Sequence, residues 1–488
     1  MDNRVWEPDT SPPVEPPAPG HGRRWPRRLL VTALVGALAA AAVWLPPPAG
    51  RQRRHASVRP PAAGPRAQAP ALTAVTPGVP ATLPQLAALI GRQERRVRSR
   101  PRDARAWAVL GSAYVERGRR TADPADYPRA EQALRTSLKV RGARNTEALD
   151  GLTALALARR DFPAAKLYGE EALRAAPQRW TAYPPLIDAY TGLGDYTAAR
   201  ASLDRLLKLR TGAAARPVVR ARAAAVYRDR GWRKDAVAQL TDAAAAAGTP
   251  AERAACLTGL GQLAWERGDL QDALRHYEAA VRLDPEQRAA QAGRGRVLAA
   301  LGRTEEAYSA YRAALARRPS PQDAYELGEL YEARGLPARA RARYEQLRTL
   351  VRQGAAAGVD EDLLLGQFEA DHGDSAEAVR RLRAEWRRQP GTEVADALGW
   401  ALHRTGDDEE ALTYATAATD TSKGGLRSPL YVFHRGLIER ELRLPAPARR
   451  HLQEALRINP YFSPLRVPTA LAALSGLGGE AREERAPR

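Results

Sequence analysis

The glycines at positions 259 and 261 have the spacing that comes closest to a known binding chemistry. Gly259, Gly261 and Ala264 follow the pattern of a dinucleotide-binding loop, and Gly293 and Gly295 repeat part of it. Such a loop binds pyrophosphate only where it joins a strand to a helix, because backbone N–H groups at the helix start must face the phosphates. The residues around these glycines have a helical pattern, and no strand precedes them. We therefore predict packing glycines inside helices, and no cofactor.

Other residues that could support catalysis or metal binding are sparse. The seven His residues form no HExxH or HxxxH pair, and the chain has no GxSxG or Walker A sequence. Its single cysteine, Cys256, excludes an internal disulfide and a metal site built from several cysteines. The sequence therefore predicts neither an enzyme nor a metal site.

These residues lie in an element that recurs every 34 residues. Residues 254–287 and the next 34 residues carry the same types at the pairs Gly261/Gly295, Gly268/Gly302, Ala273/Ala307, Tyr277/Tyr311, Ala280/Ala314 and Pro285/Pro319. Small residues let two helices approach closely, Gly268 suits the end of the first helix, and Pro285 stops the second. A fixed period of this length predicts helix–turn–helix units, which must stack because one hairpin cannot bury its own apolar face.

This plan resembles the tetratricopeptide repeat. Trp107, Leu110, Gly111 and Tyr114 have the spacing of its first-helix signature. The resemblance covers about four-fifths of the chain and implies an all-α, right-handed superhelical solenoid of about ten repeats. Residues 103–107, 368–374 and 458–464 are also similar to actinobacterial membrane-linked proteins with such repeats.

The segments that flank the repeats differ from them in composition. We expect a disordered basic cytoplasmic tail over 1–28, a transmembrane signal anchor over 29–45, a Pro/Ala/Arg-rich linker over 46–82, a capping helix over 83–103, the repeat array over 104–463, and a C-terminal cap with a charged tail over 464–488. The segment from Leu29 to Leu45 is uncharged, but its 17 residues reach only about 25 Å as a helix, against a hydrocarbon core of about 30 Å. A cleaved signal peptide and a buried helix are the alternatives.

The basic cluster before the apolar segment favours a single-pass membrane protein whose array lies outside the cytoplasm. Four Arg residues follow the segment and balance the four that precede it. The positive-inside rule therefore gives only weak support for this orientation. The net charge of +20 invites a nucleic-acid interpretation, but the basic residues of the array are interleaved with acids.

The resemblance implies that the first helix of each unit lines a concave groove. In the seventh to ninth units the groove positions are Tyr325, Glu329, Glu332, Asp360, Gln367, Asp371, Glu393, Asp396, Trp400 and His403. Acids dominate this set, and Arg404 is the only base near it. The hypothesis is a groove that binds a protein or peptide, possibly a basic one, and repels nucleic acid. The alternative is that exposed helix positions simply collect carboxylates.

The function favoured by these observations is a membrane-anchored scaffold that holds a protein or peptide in its concave groove without catalysis. The alternative is a structural or assembly factor of a cell-envelope or transport complex. Chaperone-binding relatives grip a terminal carboxylate with Lys and Asn, and the matching positions here are Ala108, Ser112, Asp150, Ala154, Pro184 and Asp188. That clamp is missing.

Overall fold

The structure, a computed structural model, describes residues 82–142, 144–317, 319–422 and 424–478. These residues form 22 α-helices and no strand, which confirms the all-α prediction. The predicted anchor, from Leu29 to Leu45, lies outside the described residues. Within the described ranges, no helix combines the length and apolarity needed to cross a membrane. The described residues all belong to one compact unit.

The helices follow one another with short links. Their bounds are α1 Leu83–Ser99, α2 Ala104–Thr121, α3 Tyr127–Arg141, α4 Thr146–Ala158, α5 Phe162–Ala175, α6 Tyr183–Gly192, α7 Tyr196–Lys208, α8 Arg216–Asp229, α9 Arg233–Ala246, α10 Pro250–Glu266, α11 Leu270–Leu283, α12 Arg288–Ala300, α13 Thr304–Arg317, α14 Pro321–Ala333, α15 Pro337–Ala356, α16 Asp362–His372, α17 Ser375–Arg388, α18 Thr392–Thr405, α19 Asp408–Thr419, α20 Pro429–Glu441, α21 Pro445–Ile458 and α22 Arg466–Gly476.

Ten consecutive helix pairs build the array, from α2–α3 as unit one to α20–α21 as unit ten. Helix α1 packs on α2 before the first pair, and α22 packs on α21 after the last one. The even-numbered helix is the first helix of its unit, and the odd-numbered helix is the second. A solenoid of tetratricopeptide-like units therefore replaces a single globular core.

Side chains at the helix starts explain why these segments become helices. The carboxylates of Asp103, Asp161 and Asp195 accept hydrogen bonds from backbone N–H groups in the first turn of the helix that follows. Thr249 and Glu252 form a reciprocal capping box at the start of α10. Each cap satisfies donors that have no partner inside the helix, which is worth about 1 kcal/mol.

The repeated Gly–Tyr pairs are packing contacts between the two helices of a unit. A Cβ atom added at Gly261 would lie 2.8 Å from the Tyr277 ring, and one at Gly295 would lie 2.7 Å from the Tyr311 ring. Gly259, which resembled part of a dinucleotide loop, lies inside α10 against Leu240. The tyrosine of the second helix thus occupies the space that a side chain on the first helix would need.

The array also contacts itself over a long sequence distance. The turn between the two helices of units two to five meets the link that follows a unit five positions later. Hydrogen-bonded pairs along this contact are 198, 196 and 194 residues apart: Arg159 with Ala357, Tyr196 with Thr392, and Trp265 with Asn459. We call this line of contacts the seam. It comprises residues 159–162, 192–196, 229 and 265–268 on one rim, and 357–361, 389–392, 424–425 and 459–460 on the other.

Main-chain atoms of the two rims bond directly. The Asp360 N–H donates to the Arg159 oxygen at 2.8 Å, and the Gly425 N–H donates to the Asp229 oxygen at 2.8 Å. Direct main-chain hydrogen bonds require the two rims to touch, because no side chain spans a gap there. The sequence analysis did not anticipate this contact.

Candidate partner-binding site

A cavity of about 770 Å³ runs along the first helices of units five to ten. Its volume falls within the range of about 300–1,000 Å³ that is typical of ligand pockets. Seven of the ten predicted groove residues line it together: Tyr325, Glu329, Gln367, Asp371, Glu393, Asp396 and Trp400. They come from α14, α16 and α18, so the fixed positions on successive first helices do converge on one space.

The sequence analysis missed the part of the wall that comes from the end of the chain. Residues 460–464 and 466–468 face the same cavity. The Arg466 guanidinium bonds to the Asp371 carboxylate and lies 3.8 Å from a Glu329 oxygen. Burial lowers the pKa of Arg466, but Asp371 and Glu329 outweigh it and raise the pKa overall. Arg466 is therefore held as a cation against two acids of the wall.

Glu329 is the most strongly perturbed acid of this wall. Burial raises its pKa to about 7, Asp371 adds to the rise, and Arg466 opposes it. Near neutral pH the Glu329 carboxyl group is consequently present in both its protonated and its ionised forms. A carboxyl group in this state can donate or accept a hydrogen bond.

The other acids of the wall have partners as well. Asp396 lies 3.0 Å from the His434 ring, and both side chains are buried. Trp400 stacks on His434 with ring centroids 4.2 Å apart, and its indole N–H donates to Asp371 at 3.0 Å. Most acids of the wall are therefore paired within the protein, although its lining still holds five carboxylates against three guanidinium groups.

Three predicted groove residues lie elsewhere. Glu332 accepts a hydrogen bond from the Tyr344 hydroxyl at 2.7 Å on the flank of unit seven. His403 bonds to Asp408 at the turn into α19. Asp360 belongs to the seam, because it precedes α16 in the link that contacts Arg159.

Asp360, Asp362 and Glu385 bring carboxylate oxygens within 4.8 Å of one another, a spacing that could suit a metal ion. Each already has a partner. Asp360 and Glu385 pair with Arg388, and Asp362 pairs with Arg381 at 2.6 Å. A cation would have to compete with these guanidinium groups, so the cluster fits a network of ion pairs better.

The far side of the cavity carries a second compensated network. Arg296 contacts Glu326 at 2.8 Å and lies over the Trp265 ring at 5.7 Å. The Tyr311 hydroxyl donates to Glu326 at 3.0 Å. In contrast, Gln367 and Glu393 have no side-chain hydrogen bond within the described ranges. Both residues therefore remain available to a ligand, as does the exposed Arg334 of the same wall.

A smaller cavity of about 340 Å³ lies along units one to four. This cavity is lined by the six residues at the positions that form the carboxylate clamp in chaperone-binding relatives: Ala108, Ser112, Asp150, Ala154, Pro184 and Asp188. Asp150 contacts Arg179 at 2.8 Å, and Asp188 contacts Arg222 at 2.9 Å. Burial raises the pKa of both carboxyl groups.

Comparison with known proteins gives one family match. Residues 258–324 match the family described as tetratricopeptide repeat, and no curated protein matches the chain. Among solved structures, the human IFIT1 dimer with PPP-AAAA is 18% identical, covers 64% of this chain and 72% of its own, and has a TM-score of 0.42. The APC/C heterotetramer Cut9–Hcn1 is 17% identical, covers 76% of each chain, and has a TM-score of 0.37.

A tetratricopeptide repeat protein from Parabacteroides merdae is 18% identical, covers 53% of this chain and 98% of its own, and has a TM-score of 0.31. Similarities at this level of identity concern the fold alone. None of them bears on the similarity to actinobacterial proteins, which stays a prediction.

The predicted partner class needs a correction. The expectation that nucleic acid is excluded is wrong, since the solved structures that resemble this chain include human IFIT1 with m7Gppp-AAAA. The physical basis of that expectation is weaker than predicted as well. Repulsion of phosphate required a wall of unpaired acids, whereas Asp371 pairs with Arg466 and Asp396 lies against His434. The lining also carries Arg296 and Arg334.

Proposed function

Because this chain is a tetratricopeptide-repeat protein, we propose that it is a protein-interaction scaffold that binds a polypeptide segment in the larger cavity without catalysis. The observation that carries the proposal is the convergence of first helices from units five to ten on one cavity of about 770 Å³. Such stacked units create an extended concave surface, which is the part of a solenoid that binds partners.

The chemistry of the wall suits a peptide backbone. Gln367 can donate and accept hydrogen bonds at once, as a peptide group requires of its partner, and it has no competing bond among the described residues. Glu393 is exposed and offers acceptors to backbone N–H groups. Tyr461 is 42% exposed at the same wall and supplies apolar area. Polar groups fix the orientation of a segment while the aromatic ring provides burial.

The proposal also includes attachment of the chain to a membrane. Its support is the uncharged sequence from Leu29 to Leu45 alone. Carbonate extraction of membranes from the native source should leave the full chain in the pellet. Recovery of the chain in the carbonate wash would contradict anchoring.

The test of the scaffold proposal is selection from a displayed library of random linear 12-residue peptides against residues 62–488, which contain the compact unit of the described residues. Peptides that bind this cavity should lose about 2- to 10-fold in affinity for Gln367→Ala, the value of one hydrogen bond. Gln132→Ala is the matched control, because Gln132 is exposed on α3, the second helix of unit one.

Equal affinity for the wild type, for Gln367→Ala and for the double variant Gln367→Ala/Glu393→Gln would contradict the proposal. A capped RNA oligonucleotide serves as a separate probe in the same assay. Binding of the RNA with the same dependence on Gln367 would also overturn it, since the cavity would then hold nucleic acid.

A further inference from the structure

The end of α1 and the link that follows it carry a dense set of arginines. Residues 92–102 hold six Arg residues and one acid, Glu94, and we call this segment the basic end. We infer that the basic end binds the anionic headgroups of a lipid bilayer. The inference rests on the membrane attachment included in the proposed function, and it adds the surface of the array that faces the membrane.

Most of these arginines have no acid partner. Arg96 pairs with Asp103 at 2.7 Å, and Glu94 accepts a hydrogen bond from the Tyr114 hydroxyl at 2.6 Å. The other five arginines form no ion pair with any residue that the structure describes: Arg92, Arg95, Arg98, Arg100 and Arg102. All of them except Arg92 are exposed. The basic end therefore keeps a positive charge that the protein itself does not neutralise.

The amphipathic pattern of α1 directs this charge outwards. The face that packs on the array is aliphatic and consists mainly of Leu86, Leu89, Ile90 and Val97, all buried. The opposite face carries two short and two long exposed side chains: Ala87, Ala88, Arg95 and Arg98. Because the alanines are short, the guanidinium groups project furthest from this face, and a flat surface can approach the helix closely. A plane of lipid headgroups has that shape.

Electrostatic attraction supplies the affinity. Each Lys or Arg near an anionic lipid surface raises the partition coefficient of a protein about fivefold, and this attraction falls off within a Debye length of about 10 Å at 0.1 M salt. A chain that is attached to the membrane also holds the basic end at a high effective concentration near the surface. A modest intrinsic affinity of the basic end for the headgroups is therefore sufficient.

Nucleic acid also attracts cations, but the basic end lacks the groups that bind exposed bases. Proteins that bind single strands stack the bases on aromatic side chains that lie between basic residues. Residues 82–106 contain no aromatic residue. Trp107, the next aromatic residue, is half-buried, and its indole N–H donates to the Pro101 oxygen at 2.9 Å. The basic end thus offers charge without stacking, which suits lipid headgroups better than a nucleic acid.

The experiment measures co-sedimentation of residues 62–488 with vesicles of two parts phosphatidylcholine to one part phosphatidylglycerol. The wild type should bind these vesicles at low salt, and it should not bind vesicles of phosphatidylcholine alone. The variant Arg95→Gln/Arg98→Gln/Arg102→Gln should bind at least about tenfold more weakly. Arg95→Lys/Arg98→Lys/Arg102→Lys should keep most of the binding, because a headgroup surface responds to charge and does not require the shape of a guanidinium group. A loss with Lys as large as the loss with Gln would overturn the inference.

The matched control removes the same charge from another helix. Arg339→Gln/Arg341→Gln/Arg352→Gln changes three exposed arginines of α15 that form no ion pair with a described residue. This control should change the partition coefficient by no more than about twofold, since its charges lie outside the basic end. Equal losses in the two Gln variants would overturn the inference, because the net charge of the chain would then explain the binding. Absence of wild-type binding to the anionic vesicles would overturn it as well.

Two further outcomes identify the partner and separate the basic end from the anchor. A single-stranded RNA oligonucleotide should bind more weakly than the vesicles, and tighter binding that depends on Arg95, Arg98 and Arg102 would overturn the lipid assignment. Residues 62–488 lack the segment from Leu29 to Leu45, so vesicle binding does not depend on the anchor. A full chain that stays in the carbonate pellet while residues 62–488 ignore the vesicles would contradict this inference alone. Vesicle binding with recovery of the full chain in the carbonate wash would contradict the anchor and support the basic end.

Discussion

The side-chain amide of Asn459 donates a hydrogen bond to the backbone oxygen of Trp265, 194 residues earlier, at 2.8 Å. Asn459 is 1% exposed, and its own oxygen accepts from the Tyr461 N–H. One asparagine thus satisfies both its polar groups while it joins the end of unit ten to the turn of unit five. A buried polar residue at this position is explained by contact between distant units, and a helix C-cap alone would not need it.

Replacing Asn459 by Ala should therefore weaken two units at once. The change removes one hydrogen bond of the Trp265 oxygen, which still accepts from the Gly268 N–H at 2.9 Å, at a cost of about 1 kcal/mol. We expect faster amide hydrogen exchange in α10 as well as in α21, and a lower urea midpoint. Gln132→Ala is the control. Faster exchange confined to α21 would show that the contact with unit five contributes nothing.

Two glycines with nearly the same backbone conformation distinguish the steric effect of the seam from the backbone strain of a turn. Gly268 has φ of +76° and Gly302 has φ of +75°, so Ala is strained at both. A Cβ at Gly268 would also lie 3.1 Å from Pro460, whereas one at Gly302 has no neighbour within 4 Å. We expect Gly268→Ala to cost about 1 kcal/mol more than Gly302→Ala in the free energy of unfolding, as a mild overpacking does. Equal costs in urea titrations would exclude a steric role for the seam.

Removing Arg466 should release the end of the chain. Without its guanidinium, Asp371 and Glu329 would be buried together with only Arg404, 4.0 Å from Asp371, as a nearby cation, which costs about 3 kcal/mol. Arg466→Gln should expose residues 459–465 to proteinase K and lower the thermal midpoint, and Arg466→Lys should restore part of both. Protection identical to the wild type would mean that apolar contacts alone hold α22.

The titration of Glu329 predicts a pH dependence of stability. Its folded pKa of about 7 exceeds its ordinary value of 4.5, so the folded state holds the proton more tightly than the unfolded state does. Its contribution is favourable below about pH 4.5 and is lost as the pH rises to about 7, by on the order of 3 kcal/mol. The free energy of unfolding of Glu329→Gln minus that of the wild type should therefore grow between pH 5 and pH 8 in urea titrations.

Glu305→Gln, on the exposed start of α13, is the reference for this comparison. A difference between Glu329→Gln and the wild type that stays constant with pH would show that Glu329 ionises in the folded state as it does in the unfolded chain.

The features that the sequence predicted correctly depend on patterns among residues that are close in sequence. The 34-residue period sets the Gly261–Tyr277 contact, and helical spacing places Gln367 and Asp371 on the same wall, because both properties depend only on residues close in sequence. Asp360 was misplaced because it precedes the helix start, where helical periodicity no longer applies.

The pairing of Asp371 with Arg466 could not be predicted, since no periodicity relates the eighth unit to a helix that lies outside the repeats. The seam is a similar case. It depends on a small rotation between neighbouring units that accumulates over five of them, and a single unit carries no sign of that sum. Asn459, a buried polar residue after the last repeat, was the only local hint.

The seam also constrains how this array could change in length. In an open solenoid, a unit can be deleted or duplicated and each neighbour simply meets a new neighbour. Here, loss of one unit between the fifth and the tenth would bring Trp265 to a different link, and Asn459 would meet no matching oxygen. Every hydrogen-bonded pair along the two rims would lose its register at the same time. The number of units between two bonded rims is therefore itself under structural constraint. Insertions are tolerated best before Arg120, which bonds to Asp284 at 2.8 Å, or after Pro460.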